Sequence, residues 1–298
     1  MLPKASVFTS PPAQLMGLLA ERLPSSLTIL RRLQFALRDE SSPQHARIIV
    51  GSDRGALGPG PTEPRSYTVA YADFSAGPDA QTVLYSTLED GQAVGDGGRS
   101  EHEQQLACVV DELVRLRSEH GRGWRPPPRL LLGSLHADVR AILERTGRLQ
   151  GRSSGIYDKW LFKVRDLPPA EERLPDGMYW GRATFADCRT VVARTDIPRT
   201  ADFLVKLPNL VIKLQDHTPI AWGFLGVDGG LMSLHCEESY RRKGLARNLA
   251  IKLLRESTGY FTDDGGEGWT SADVSKDNSA SQAVCRSLNG QTAWVVSW

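Results

Sequence analysis

LMSLHCEESYRRKGLARNLAIKLLRE, residues 231–256, reads as a strand, a polar loop and a helix in succession. The apolar run to Cys236 has strand length, and from Leu245 the residues Leu249, Leu253 and Leu254 recur at helical spacing. Between them stand Arg241, Arg242, Lys243 and Gly244, and the helix opens on Leu245, Ala246 and Arg247. Small residues at 244 and 246 allow a ligand close to the backbone. The first turn of a helix carries N–H groups without intrahelical partners and the positive end of the helix dipole. Such a start is a cradle for a pyrophosphate, and Lys243 and Arg247 supply charge for a further phosphate.

Outward from this stretch, Leu210–Gln215 and Ile220–Val227 read as strands joined by Asp216–Pro219, and Asp228-Gly229-Gly230 turns the chain into 231–236. Downstream, Trp269–Val274 reads as a strand, Ser279–Leu288 as a helix and Ala293–Trp298 as a last strand. Upstream, 184–195 and 198–206 read as helices, the second with Pro198 in its first turn. GRLQGRSSG, residues 147–155, is polar and glycine-rich, which predicts a boundary between halves 1–150 and 151–298. In the first half, 13–23 and 101–119 read as helices. Leu27–Phe35, Arg47–Val50, Tyr67–Phe74, Thr82–Leu88 and 129–135 read as strands, and 136–147 as a helix stopped by Gly147.

A chain of 298 residues with 40% hydrophobic and 24% charged residues has the composition of a globular protein, and strands first with helices around them suggest an α/β (α+β) fold. A net charge of +1 gives no electrostatic reason to expect nucleic acid or a membrane surface as partner. The four cysteines, Cys108, Cys188, Cys236 and Cys285, form no close pair, which suits a reducing, cytoplasmic setting. No apolar run approaches the roughly 18 residues of a transmembrane helix, and no signal peptide is visible. GRSSG at 151–155 matches the hydrolase motif G-x-S-x-G without the buried strand that motif needs, and GALGPG at 55–60 is a proline-containing turn. Neither the histidines nor Asp263-Asp264 shows metal-ligand spacing, so no metal is expected.

The loop and helix start at 241–246 resemble the R/Q-x-x-G-x-G/A signature of the GNAT superfamily. PIAWGFLGVDGGLMSLHCEESYRRKGL, residues 219–245, is similar to the glycine N-acyltransferase family through Pro219, Trp222, Gly229, Tyr240, Arg241 and Gly244. DVSKDNSASQAVCRSLNG, residues 273–290, resembles the fifth strand and following helix of GNAT proteins, with Asn278 where the asparagine that meets pantetheine stands. The likeness is strong over 210–290 and weaker over 1–50.

The resemblance implies two GNAT-like halves, each a mixed, strongly twisted sheet flanked by helices: a degenerate one over 1–150, and one over 151–298 that binds acetyl-CoA or another acyl-CoA. The fourth and fifth strands of such a fold splay apart, and pantetheine bonds to fourth-strand backbone, here Leu234, His235 and Cys236. The implied reaction moves an acyl group, most simply acetyl, from CoA to the amine of a small molecule.

Two positions depart from the pattern. Gly230 stands where the family carries a glutamate base, and Cys285 where many GNAT enzymes carry a tyrosine acid. Asp228 or His235 as base, an acceptor that needs none, and an acyl-CoA-binding module without turnover all stay open, as does protein-lysine acetylation. Strand alternation sets His235 on the face opposite Leu234 and Cys236 unless a bulge re-aims it.

Overall fold

The computed structural model describes residues 5–38, 45–53, 64–74, 82–91, 96–120, 130–149, 155–171, 173–261 and 268–298. The turn at 55–60, residues 151–154 of the 151–155 match, and Asp263-Asp264 lie outside them. Two compact units divide the chain, residues 1–156 with 294–298, and residues 157–293.

The first unit runs β1 (Ser6–Phe8), α1 (Ala13–Glu21), α2 (Leu27–Arg38), β2 (Ala46–Ser52), β3 (Tyr67–Asp73), β4 (Thr82–Ser86), α3 (Asp96–His120), β5 (Leu132–Gly133), β6 (Leu135–His136) and α4 (Ala137–Arg145). Its sheet has the order β1-β2-β3-β4-β5, antiparallel except for the parallel β4–β5 pair. Alternation splits the strands between two cores. Ile48, Val50, Val69 and Tyr71 pack with Leu15, Leu19, Ile29 and Leu33 of α1 and α2. Ile49, Ala70, Ala72 and Leu84 pack with Leu106, Val109 and Leu113 of α3 and Val139 and Ile142 of α4. With both faces covered, β3 is buried along its whole length. The last residues of the chain belong here too: Val296 and Ser297 pair with His136 and Leu135.

The strand expected over Leu27–Phe35 is the helix α2. Leu27, Leu30 and Leu33, three apart, and Ile29 and Leu33, four apart, are buried together. The arginines, leucines and glutamine of that stretch are good helix formers, and they outweigh the β-branched pair Thr28-Ile29. The strand expected over 129–135 survives only as β5 and β6, because Ser134 takes a left-handed φ of 52° and breaks the pleat between them.

The second unit runs β7 (Ile156–Lys163), β8 (Met178–Gly181), α5 (Phe185–Val192), α6 (Ala201–Leu204), β9 (Asn209–Leu214), β10 (Pro219–Leu225), β11 (Leu231–Cys236), α7 (Leu245–Ser257), β12 (Trp269–Ser275) and α8 (Ser279–Ser287), and the closing strand β13 (Gln291–Ser297) begins in it and ends in the first. β8, β9, β10 and β11 form an antiparallel meander in that spatial order, and β12 pairs antiparallel with β7. The strands β1, β7 and β8 carry no reading in the sequence above. α6 is shorter than expected, because Thr200 caps it by accepting the Phe203 N–H and Pro198 lies outside it. A buried ion pair joins α5 to β9: Lys213 Nζ lies 2.6 Å from Asp187 Oδ2. Burial alone would push the Asp187 carboxyl up; the Lys213 ammonium and the Thr184 donors outweigh it and hold it below the usual carboxylate range.

Candidate active site

β11 is the last strand of its sheet. Its one bonded neighbour is β10, whereas β12 bonds to β7, so the two expected to splay share no ladder among the described residues. Near their starts they are joined by Thr270 Oγ1, which donates to the Gly229 carbonyl at 2.8 Å. Beyond that tie, one edge of β11 offers backbone groups to an extended ligand, as an added strand would be held.

Within β11 the register slips. Trp222 faces His235 and Phe224 faces Met232, so two steps on β10 meet three on β11. The extra residue is a bulge at Ser233 and Leu234, with Ser233 at a φ of 51°. Opposite it lies Gly223, where a Cβ would sit 2.9 Å from Leu249 Cδ2 and 3.3 Å from Leu234 Cδ1. Glycine there lets α7 and the bulge close on the strand. The bulge also turns His235 onto the same face as Met232, Trp222 and Phe224, a placement plain alternation forbids.

After Cys236 the chain makes a single 3-10 turn, Glu238–Tyr240, and enters the loop before α7. Arg242 and Gly244 are both left-handed, with φ of 62° and 73°. Gly244 is the N-cap of α7, with no side chain capping the helix, and the first helical bond is Asn248 N–H to the Gly244 carbonyl at 3.0 Å. The N–H groups of Leu245, Ala246 and Arg247 precede that bond and have no intrahelical acceptor. A Cβ at 244 would meet only Asn248 Nδ2, at 3.8 Å, so the space before the helix is open. Residues 241–244 are exposed. An open, uncapped start to a 13-residue helix, with a backbone concavity and cations beside it, fits a pyrophosphate.

The cations divide by task. Arg241 Nε donates to the Cys236 carbonyl at 2.9 Å and braces the loop against the end of β11. Arg247 Nε donates to the Ser287 carbonyl at 3.3 Å, linking α7 to α8. Arg242 and Lys243 project from the exposed loop, with Lys243 Nζ 5.6 Å from the centre of the Tyr240 ring. Asn278 Oδ1 caps α8 by accepting the Ser281 N–H at 3.0 Å, and its amide nitrogen is not used in that cap.

His235, Asp228 and Cys285 differ sharply in setting. The His235 ring stacks on Trp222, and its buried Nε2 lies 3.7 Å from Glu237 Oε2. Burial lowers its pKa, against the pull of Glu237. Cys285 is 4% exposed, and burial pushes its thiol up to about 12. Asp228 is half-buried in the turn before β11, where its Oδ1 accepts the Gly230 N–H at 3.1 Å.

Sequence reading missed the groups around this face. Arg194, after α5, donates from Nε to Glu237 Oε1 at 2.9 Å, and Arg199 Nη1 donates to Met232 Sδ at 3.5 Å. These partners are 43 and 33 residues apart, so no local spacing could have revealed them. Among the described residues no three His, Cys, Asp or Glu side chains converge as a metal site, and no helix is long and apolar enough to cross a membrane.

Residues 4–160 match the family model described as the acyl-CoA N-acyltransferase verG N-terminal domain. No curated protein matches the sequence. Among solved structures, a Drosophila protein is similar over 100% of this chain and 97% of its own, with a TM-score of 0.68 at 16% identity. A tandem GNAT protein from the clavulanic acid biosynthesis pathway is similar over 99% of this chain and 97% of its own, with a TM-score of 0.50 at 11% identity. At these identities the likeness is one of fold, and it spans both units.

Proposed function

The chain belongs to the acyl-CoA N-acyltransferase family defined by that N-terminal domain, and from this premise we propose that it moves an acetyl group from acetyl-CoA to the amine of a small molecule. Acyl transfer from CoA to an amine is the family's chemistry; the acetyl group and the small acceptor are our proposal. One observation supports acyl-CoA as the donor: the edge of β11, unpaired among the described residues, leads directly to the open, uncapped start of α7.

In this reading the N–H groups of Leu245, Ala246 and Arg247 hold the pyrophosphate, with Arg242 and Lys243 as neutralising charge. The backbone of Leu234, His235 and Cys236 aligns the pantetheine arm, and the Asn278 amide nitrogen meets it from α8. The thioester is thereby fixed beside β11, where an amine held on the Met232 side attacks at high effective concentration. Cys285, buried and protonated, is packing rather than an acid for the leaving thiolate.

The test is acetyl-CoA with a panel of amino acids, polyamines, aminosugars, arylalkylamines and hydroxylamine, read as thiol release beside calorimetric binding of acetyl-CoA. Acceptor-dependent release supports the reading. Tight binding with no amine ever stimulating release overturns it in favour of a binding module, and acetylation of peptide lysines alone overturns the small acceptor.

A further inference from the structure

An alkylamine reaches an enzyme at neutral pH as an ammonium, and its nitrogen cannot attack until a proton has left. Around β11, most titratable side chains are unfit to take it. Burial raises the thiols of Cys236 and Cys285, so neither is a base at neutral pH. Glu237 is held by Arg194 past the end of the strand. His235 lies flat on Trp222, with Nε2 shut away from solvent and turned toward Glu237.

Asp228 differs from all of them. Its side chain folds back from the turn over the start of β11. Oδ1 lies 2.6 Å from where a Cβ on Gly226 would be, and Oδ1 and Oδ2 lie 3.3 and 3.6 Å from where a Cβ on Gly230 would be. The carboxylate therefore fills the space of two missing side chains. That space is on the face of Met232, whose Sδ is 3.3 Å from the same Gly226 position, and it borders β12, whose Ser271 carbonyl is 3.5 Å from the Gly230 position. Oδ1 is committed to the Gly230 N–H, and Oδ2 has no hydrogen-bond partner among the described residues.

We propose that Asp228 is the general base of the transfer, its carboxylate swung into the space that a side chain at 230 would occupy. The inference rests on the acyltransfer reading above. Asp228 takes one proton from the ammonium, and the freed nitrogen lone pair forms the N–C bond to the thioester carbonyl. The C–S bond breaks with its electron pair on sulfur, a second N–H proton passes to that thiolate, and the amide keeps the third. Asp228 returns its proton to water. Ammonium and acyl-CoA thus become amide, CoA thiol and one proton.

Asp228→Asn is the test, because the amide oxygen can still accept the Gly230 N–H and the turn keeps its bond. With the fastest primary alkylamine of the panel, turnover is expected to fall by about a hundredfold or more. With hydroxylamine, a weak base that arrives neutral, it should change by less than about threefold, and calorimetric binding of acetyl-CoA should be unchanged. Asp228→Gly combined with Gly230→Glu should restore much of the alkylamine rate. Alkylamine turnover within about threefold of wild type in Asp228→Asn overturns the assignment, as does equal loss with both acceptors, which marks a positioning role. Failure of the acyltransfer reading looks different: the unmutated protein then binds acetyl-CoA and releases no thiol with any amine.

Discussion

The His235 ring lies on the Trp222 indole with centroids 4.5 Å apart and planes 17° from parallel. The two face each other across β10 and β11 only because the bulge at Ser233–Leu234 shifts the register. The stack covers both rings, leaving Trp222 1% exposed and the His235 Nε2 cut off from water.

This burial makes stability depend on pH with a defined sign. His235 has a lowered pKa in the folded protein, so the unfolded chain binds its proton first. Stability is then full above the ordinary histidine range, at about 6.5, and falls as pH drops through it. His136, whose pKa burial also lowers, adds in the same direction. His235→Phe keeps an aromatic ring on Trp222 and removes the titration. Urea unfolding at intervals between about pH 7 and 5 should show a shallower acid loss in the variant. Identical slopes would mean that His235 is not buried neutral.

At Gly244 the backbone and the proposed ligand make the same demand. A φ of 73° costs a side-chain-bearing residue about 1–2 kcal/mol, and a carboxylate there would face the open N–H groups of α7. Gly244→Glu should weaken acetyl-CoA binding by about a hundredfold or more in calorimetry, since repulsion adds to the lost cradle. Gly244→Asn, which tolerates the left-handed region, should keep affinity within about tenfold. Equal affinity of a folded Gly244→Glu variant would show that the phosphates bind elsewhere.

Cys285 tests the reading of α8. A thiol pushed up to about 12 holds its proton more tightly than the departing CoA thiol would, so it is a poor donor. Cys285→Ala should cost about 1 kcal/mol of stability through lost packing and leave kcat within about twofold. A hundredfold drop in turnover with unchanged thermal stability would overturn this.

The second unit was legible where its signals are short-range. β9, β10, β11, α7, β12 and α8 lie within a residue or two of where periodicity sets them, because each is marked by its own apolar spacing, turn glycines or cap. α2 was not legible, because a run of leucines with Thr28 and Ile29 satisfies a buried strand as well as a helix until the packing of Leu27, Leu30 and Leu33 decides. β5 and β6 hang on one left-handed serine, which no local pattern announces.

Residues 241–247, taken alone, determined that a helix begins with unsatisfied N–H groups, a glycine and cations: helix geometry repeats every few residues, and its end effects are carried by the residues at the end. Only the tertiary structure decided which strand edge beside that helix stays open, since an edge exists only where a neighbouring strand bonds elsewhere, as β12 does with β7. The same holds for the carboxylate. The sequence offers Asp228 as a turn residue and one of two candidate bases; its aim is decided only where Gly226 and Gly230 face each other across the hairpin, where the Gly226 N–H donates to the Gly230 carbonyl at 2.8 Å and leaves side-chain space for it to fill. Side-chain aim depends on register, and register is fixed by pairing between strands rather than within either one.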